Sequence, residues 1–272
     1  MIVRRMLSLL ITYLLFLLII FLLQRKLIYF PETHSIERQQ ALAAQFNLTL
    51  WPPDADYRGL IAQPSQASPK GTIIVFHGNA GSAINRVYYV NALERLGYRV
   101  ILAEYPGYGA RKGSPSEQAF IADGIATAEQ ALAEFGEPIF LWGESIGGGV
   151  VSGIVNSQQI PVPGIVLVSP FDSLPSIAGH HYWYFLGRWL TRDKFDNIKN
   201  LQGYSGKTAV IMADQDNIIP NKNTLTLFRS LKNPKKLWEF KKAGHNSLPL
   251  SPGLSWWREV MKFVDGRIGE SR

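Results

Sequence analysis

From residue 70 onward, short apolar runs alternate with longer segments in which apolar residues recur every three or four positions. The short runs predict buried strands at residues 71–77, 99–105, 138–142, 165–169, 207–213 and 235–240. The longer segments predict helices at residues 82–96, 116–135, 146–156, 221–231 and 252–267. Strands and helices in this alternation form a mostly parallel sheet with helices on both faces. The pattern therefore predicts an α/β fold.

The N-terminal segment has a different pattern. Residues 7–23 contain no charge, no glycine and no proline, and Arg4, Arg5, Arg25 and Lys26 bracket them. This length reaches the lower limit for crossing a bilayer. A cleaved signal peptide would have a shorter apolar region followed by small residues, and a buried core helix would show a polar stripe. We therefore predict one transmembrane helix, retained as an anchor over residues 1–30.

The remaining chain, residues 31–272, has a length typical of one α/β domain. Residues 24–46 are interpreted as a juxtamembrane connector. The one long break in the alternation is 170–206, which contains a markedly aromatic stretch at residues 180–189. Such a stretch between two strands suggests a lid or cap over the strand ends, and a core-packing helix is the alternative.

Net charge and cysteine content narrow the function classes. The formal charge is +7, of which residues 1–30 contribute four, so the rest carries +3, as an ordinary soluble domain does. The densest group of basic residues consists of Lys235, Lys236, Lys241 and Lys242. We interpret it as a solvent-exposed rim around a strand rather than as a nucleic-acid site or a lipid contact. The chain has no cysteine, so thiol chemistry is excluded. We expect no nucleic-acid partner.

Orientation in the membrane is nearly balanced, because two basic residues lie on each side of the apolar stretch. The free amino terminus tips the balance toward an N-inside anchor with the body exported. The expected location is a bacterial inner membrane, crossed once.

Residues 143–147, Gly-Glu-Ser-Ile-Gly, match the pattern G-x-S-x-G. The motif alone is weak, because chance matches occur in chains of this composition. Here it follows a predicted strand and opens a predicted helix, which is the setting of a nucleophile elbow. The turn is too tight for bulky neighbours, so glycines flank the serine. Ser145 is therefore the candidate nucleophile.

A serine hydroxyl needs a base, and the base needs an acid that fixes its tautomer. Among the five histidines, His245 lies just past the last predicted strand, at the sheet edge where Ser145 is expected. Asp214 and Asp216 both follow the fifth strand. The order serine, aspartate, histidine along the chain is the order found in α/β-hydrolases. The alternative is that these residues have no catalytic role and are a serine in a turn, a solvated aspartate and a surface histidine.

Taken together, these segments resemble the α/β-hydrolase superfamily, and more closely its N-terminally anchored, single-pass members of the serine aminopeptidase-like and ABHD type. The residues that carry the resemblance are 27–32, 76–81, 105–109, 143–148, 169–171, 216–220 and 244–245. The resemblance implies an α/β-hydrolase fold with a short lid insertion. It selects Asp216 over Asp214 as the acid, because the family's acid precedes an apolar-apolar-Pro stretch. It also implies an oxyanion hole formed by the backbone N–H groups of Asn79 and Ile146, with His77 as a loop-shaping residue.

The expected activity is that of a serine hydrolase acting through an acyl-enzyme on a carboxylic ester or thioester. An anchor beside the catalytic domain favours a small-molecule or lipid acyl ester near the membrane. Neither a cofactor nor a metal ion is implied, and no obligate protein partner is expected. Two alternatives remain open: a peptidase of the same superfamily, and a non-catalytic, membrane-tethered binding protein on a hydrolase fold.

Overall fold

An eight-stranded sheet lies at the centre of the computed structural model, which describes residues 1–53, 56–62, 68–136 and 138–267. The order of strands across this sheet is β10-β9-β8-β7-β4-β6-β3-β2, and β1 pairs with β5 in a separate two-stranded ribbon. Within the described residues the strands are β1 (Phe30–Pro31), β2 (Leu48–Trp51), β3 (Gly59–Ala62), β4 (Thr72–Phe76), β5 (Ala80–Gly81), β6 (Arg99–Ala103), β7 (Ile139–Glu144), β8 (Gly164–Val168), β9 (Lys207–Ala213) and β10 (Lys235–Phe240).

The sheet is parallel from β10 to β6 and antiparallel at its other edge, where β3 pairs with β6 and β2 with β3. The predicted α/β fold with a mostly parallel sheet is confirmed. The six strands expected from the sequence are all present; two of them match at both ends, and the ends of the others shift by at most two residues.

Helices cover both faces of the sheet. The described helices are α1 (Ile2–Ile28), α2 (Ile36–Ala44), α3 (Val87–Leu93), α4 (Glu117–Phe135), α5 (Ile146–Ser157), α6 (Leu174–His181), α7 (Gly187–Leu190), α8 (Asn197–Asn200), α9 (Asn221–Ser230) and α10 (Ser255–Asp265). Helices α2, α3 and α10 contribute buried residues to the core on one face, and α4, α5 and α9 to the core on the other. Strand β4 shows the alternation directly, since Ile73 and Val75 point to the first core and Ile74 and Phe76 to the second.

Two expectations from the sequence need correction. The helix predicted at 82–96 is broken into a 3-10 turn at Ala83–Arg86, helix α3 and a second 3-10 turn at Glu94–Leu96. Residues 24–46 are not a simple connector, because they include the end of α1, strand β1 and helix α2, and α2 packs on the core through the buried Ala43. The pairing that makes β1 a strand comes from β5, which is distant in sequence.

Helix α1 is long and apolar enough to cross a membrane by length and composition, as predicted. Only 6% of its most apolar 18-residue stretch is buried against the rest of the chain. Its bounds, Ile2–Ile28, contain the apolar stretch and the basic residues on both sides. The division of the chain into an anchor at 1–30 and a domain at 31–272 remains a prediction.

The break at 170–206 contains α6, a 3-10 turn at Trp183–Phe185, α7 and α8. Its aromatic side chains are not packed in the core: Trp183 is 70% exposed and Trp189 is 71% exposed. The core-packing alternative for this stretch is therefore wrong. The segment begins at the carboxyl edge of the sheet, where β8 ends, and returns to the amino edge, where β9 begins.

Candidate active site

Ser145 occupies a sharp turn between β7 and α5. Its backbone has a positive φ of 53° with ψ −114°, a combination that a non-glycine residue adopts rarely. The turn is held in place because the Ser145 N–H donates to the Val168 carbonyl at 2.8 Å. Strain of this kind projects the hydroxyl away from the sheet at the amino end of a helix. The local structure is that of the nucleophile elbow expected from the sequence.

The glycines of the motif are required by backbone contacts. A Cβ on Gly147 would lie 2.1 Å from the Phe76 carbonyl oxygen and 2.8 Å from the His77 oxygen. A Cβ on Gly143 would lie 2.5 Å from the Gly147 oxygen. These neighbours are main chain, so they cannot move aside without distorting β4 or the elbow.

We therefore expect Gly147→Ala to destabilise the protein by about 3 kcal/mol or to prevent folding, because overpacking against backbone shifts the strand. Thermal unfolding of the full chain in detergent measures the effect. Gly148→Ala is the matched control, since its Cβ would meet nothing closer than the Leu167 Cδ2 at 3.6 Å. The control should unfold at or slightly above the wild-type temperature, because alanine favours helix over glycine. Equal loss in both variants would contradict this account of the elbow.

His245 and Asp216 come from different loops and meet at the carboxyl edge of the sheet. The His245 Nδ1 lies 2.7 Å from the Asp216 Oδ2. Because a carboxylate only accepts hydrogen bonds, Nδ1 carries the proton and Nε2 is left free to accept one. The other carboxylate oxygen accepts the N–H groups of Ile218 at 2.9 Å and Ile219 at 2.8 Å.

The surroundings of Asp216 keep it ionised. Burial favours the protonated acid, but the hydrogen bond and charge of His245, together with the N–H groups of Ile219 and Ile218, hold the pKa of Asp216 below its ordinary value. Asp214 has a different environment: its carboxylate is a third exposed and lies 3.6 Å from the Lys241 Nζ. The structure therefore brings Asp216, not Asp214, to His245.

The two predicted oxyanion donors lie on adjacent segments. The close approach of Gly147 to Phe76 and His77 places the first turn of α5 against the loop that follows β4. That loop carries Asn79, and the helix turn carries Ile146. Within the described part of the chain, no hydrogen bond from either backbone N–H is found. Two unpaired N–H groups on neighbouring segments are suited to binding a developing oxyanion.

The conformation of Asn79 depends on the end of α1 and on the residues that follow it. The Asn79 side-chain amide donates to the Ile28 carbonyl at 2.7 Å, and the Asn79 carbonyl accepts the Phe30 N–H at 2.9 Å. The Tyr108 hydroxyl donates to the same carbonyl at 2.7 Å. No sequence pattern indicated that residues 28–30 would support this loop, because the contact spans about fifty residues of chain.

His77 is placed as a structural residue of this loop. It is buried, its Nδ1 lies 2.7 Å from the Gly78 carbonyl oxygen, and its Nε2 lies 3.3 Å from the buried Glu104. The Tyr105 hydroxyl donates to the His77 carbonyl at 2.7 Å. Tyr105 and Tyr108 are both buried, and their hydroxyls donate to the His77 and Asn79 carbonyls, which places the two rings under the loop. Glu104 was not anticipated.

Glu144, which occupies the x position before the serine in G-x-S-x-G, is surrounded by groups that neutralise its charge. Its carboxylate pairs with the Arg86 guanidinium through two contacts of 3.0 and 3.1 Å and accepts the hydroxyls of Tyr88 and Tyr89 at 3.0 and 3.2 Å. Burial alone would raise the pKa of Glu144, but Arg86 and the Tyr88 hydroxyl hold it below the ordinary value. An unpaired carboxylate beside an oxyanion site would oppose charge development, so the pairing matters.

The groups around Glu144 line a cavity of about 230 Å³ that also contains His245 and Ser169. The Ser169 hydroxyl is buried and has no hydrogen-bond partner among the described residues. Within those residues, no group of three or more His, Cys, Asp or Glu side chains is arranged to hold a metal ion. The arrangement is a polar pocket that borders a histidine–aspartate pair.

Comparisons with known proteins identify similar chains. The family model described as serine aminopeptidase, S33, matches residues 67–199, which include Ser145. An uncharacterised protein of Mycobacterium tuberculosis is 30% identical over 246 residues, covering 89% of this chain and 87% of the relative. The lysophosphatidylserine lipase ABHD12 of Mus musculus is 31% identical over 173 residues, covering 57% of this chain and 44% of the lipase.

Solved structures show the same fold at low sequence identity. Est1E from Butyrivibrio proteoclasticus, solved with ferulic acid, superposes with a TM-score of 0.64 at 18% identity, covering 77% of this chain and 94% of that one. An esterase of Pyrococcus furiosus gives a TM-score of 0.64 at 16% identity, with 88% and 97% covered.

Proposed function

This chain belongs to the α/β-hydrolase superfamily, and from that premise we propose that it is a serine hydrolase that cleaves acyl esters or thioesters at a membrane surface. The nucleophile is Ser145, the general base is His245 and the acid is Asp216. The observation that carries the proposal is the 2.7 Å contact between His245 and Asp216 at the sheet edge where the strained Ser145 elbow lies.

The first half of the reaction is acylation. His245 Nε2 accepts the proton of the Ser145 hydroxyl as its oxygen attacks the substrate carbonyl carbon. The N–H groups of Asn79 and Ile146 stabilise the resulting oxyanion, an effect worth roughly 3–4 kcal/mol per donor. His245 then returns the proton to the leaving oxygen or sulfur, and the acyl group stays on Ser145.

The second half is deacylation. His245 takes a proton from water, and the hydroxide attacks the acyl carbon. The bond from that carbon to the Ser145 oxygen then breaks, the serine regains its proton from His245, and the carboxylic acid leaves. Asp216 remains ionised throughout and stabilises the imidazolium that forms in each half, which is consistent with its lowered pKa.

The substrate class follows from location and from the relatives. A helix fit to span a membrane joins directly to the segment that holds Asn79, so the pocket is tethered close to a lipid surface. A relative named as a lysophosphatidylserine lipase supports a lipid-derived ester. We propose a lipid or other acyl ester presented at the membrane, with the domain on the exported side of a bacterial inner membrane.

The test is hydrolysis of p-nitrophenyl esters of increasing acyl length by the full chain in detergent or nanodiscs. The full chain is needed because Ile28 and Phe30 support the Asn79 loop. We expect hydrolysis that a fluorophosphonate inhibitor abolishes, with a preference for medium or long acyl chains. Release of an amino-terminal residue from peptides without ester cleavage would favour the peptidase alternative. A folded protein inactive on esters, thioesters and peptides would favour the binding protein.

A further inference from the structure

Residues 174–193 form a hairpin of two helices, α6 and α7, which we call the aromatic hairpin. Its turn exposes a set of large apolar side chains, namely Tyr182, Trp183, Tyr184, Leu186 and Trp189. Soluble surfaces rarely carry so many large aromatic groups side by side, and such patches mark interaction sites. The position of the hairpin against α1 indicates which partner this surface has.

The tip of the hairpin packs against the middle of α1. The Tyr13 hydroxyl donates to the Tyr184 carbonyl at 2.7 Å, and the Phe16 and Phe185 rings meet edge to face at 5.2 Å. Leu17, on the same face of α1, is 6% exposed, whereas most neighbouring side chains of the helix are exposed. The hairpin therefore lies alongside the apolar stretch of the anchor.

The base of the hairpin is fastened at the end of the anchor. The Arg25 guanidinium makes two hydrogen bonds to Asp193, at 2.8 and 3.1 Å, and the Tyr29 hydroxyl donates to the same carboxylate at 2.9 Å. Gln24 donates to the Leu190 carbonyl at 3.2 Å and accepts the Arg192 N–H at 2.7 Å. The polar contacts thus lie at the C-terminal end of α1, and the aromatic contacts lie at its centre.

The depth of the tip follows from helix geometry. Tyr13 is eleven residues from Gln24, a distance of about 16 Å along the axis at the helical rise. The hydrocarbon core of a bilayer is about 30 Å thick. If α1 crosses that core with Gln24 at its edge, the contact of the hairpin tip with Tyr13 lies near the midplane, and the part of the hairpin between Tyr13 and Gln24 lies within the leaflet next to the domain.

We propose that the aromatic hairpin is embedded in the membrane beside α1, with lipid as the partner of its exposed aromatic face. The basic groups fit this placement. His180 and Arg188 line, with Lys222 of the hydrolase body, a groove of about 430 Å³ that Trp183 and Trp189 also line. Tryptophan beside basic side chains is typical of the interface between the lipid tails and anionic head groups. A long arginine side chain can extend from the hydrocarbon region to the head groups.

This inference rests on the membrane anchoring proposed above and not on the catalytic activity. A second copy of the chain is the competing occupant of the aromatic face. The two differ in what surrounds Trp183 and Trp189: mobile lipid tails in one case, and a packed protein surface in the other.

Single-cysteine variants test the placement cleanly, because the chain has no cysteine of its own. Trp183→Cys and Trp189→Cys report on the hairpin. Leu15→Cys reports on lipid at the depth of the tip, since residue 15 lies about 200° around the helix from Tyr13. Ser205→Cys is the aqueous control, since Ser205 is exposed and precedes β9 at the opposite edge of the sheet. Each full-length variant is spin-labelled and reconstituted in vesicles of phosphatidylcholine and phosphatidylglycerol.

Electron paramagnetic resonance then compares collisions of each label with oxygen, which dissolves in lipid, and with a water-soluble nickel chelate. We expect the oxygen-to-nickel ratio at positions 183 and 189 to match that at 15 and to exceed that at 205 several-fold. Ratios equal to that at 205 would place the hairpin in water and overturn the proposal. Low collision rates with both reagents would indicate a protein contact and overturn it as well. A water-like ratio at 15 would remove the membrane anchor itself, and hydrolysis by the same samples would show whether the catalytic proposal survives.

Discussion

Ser145→Ala is expected to lower ester turnover by at least about 10⁴-fold while leaving the fold intact. The hydroxyl is the only atom removed, and nucleophilic serines contribute effects of this size. Alanine fits the elbow, because the positive-φ backbone of residue 145 already carries a Cβ and its packing is unchanged. The rate constant for p-nitrophenyl ester hydrolysis measures the loss, and a fluorophosphonate probe should no longer label the protein.

Ser157→Ala is the matched control for this change. Ser157 lies at the other end of the same helix α5, and its hydroxyl caps the Ile154 carbonyl at 2.7 Å, far from the elbow. The control should retain wild-type turnover and probe labelling. Wild-type turnover in Ser145→Ala, with normal thermal unfolding of both variants, would remove Ser145 as the nucleophile.

The second large effect is expected from Asp216→Asn, which should lower kcat by about 10³- to 10⁴-fold with little change in KM. The Ile218 and Ile219 N–H groups hold one oxygen of residue 216, so the asparagine oxygen stays there and its NH₂ faces His245. The His245 Nδ1 must then accept a hydrogen bond, which moves its proton to Nε2. In that tautomer His245 cannot take the proton from Ser145.

Asp214→Asn separates the two aspartates. Its carboxylate is partly exposed and contacts Lys241, so its loss should change turnover less than about threefold, as exposed ion pairs contribute little. Steady-state kinetics of both variants at one pH provide the comparison. A larger loss in Asp214→Asn than in Asp216→Asn would show that the acid has been assigned to the wrong residue.

Much of the α/β body could be predicted from the sequence, because its parallel strands are buried on both faces and appear as continuous apolar runs. Strand β4 and strand β9 are of this kind. The elbow was also predictable, since close backbone contacts exclude all residues but glycine at Gly143 and Gly147. Burial and backbone contacts of this kind restrict the residue types at neighbouring positions, so they can be recognised in a short stretch of sequence.

The antiparallel edge was missed for the opposite reason. Strands β2 and β3 have four residues each, and their pairing depends on β6, which follows them in the sequence. Helix α2 has nine residues with no strong apolar face, and it is stabilised by packing on β2. Elements this short have weak intrinsic preferences, so tertiary contacts decide whether they form.

Local sequence patterns were enough to predict the α/β body, the membrane-length helix and the residue types at the end of each strand, because burial and backbone sterics act within a few neighbouring positions. The tertiary structure was needed to show that Arg86 neutralises Glu144, and it places Asp216, which the family resemblance had selected over Asp214, against His245. The tertiary structure also shows that the anchor supports Asn79 through Ile28 and contacts the aromatic hairpin through Asp193. Contacts between residues so distant in the chain follow from how the sheet and helices assemble, which no single segment encodes.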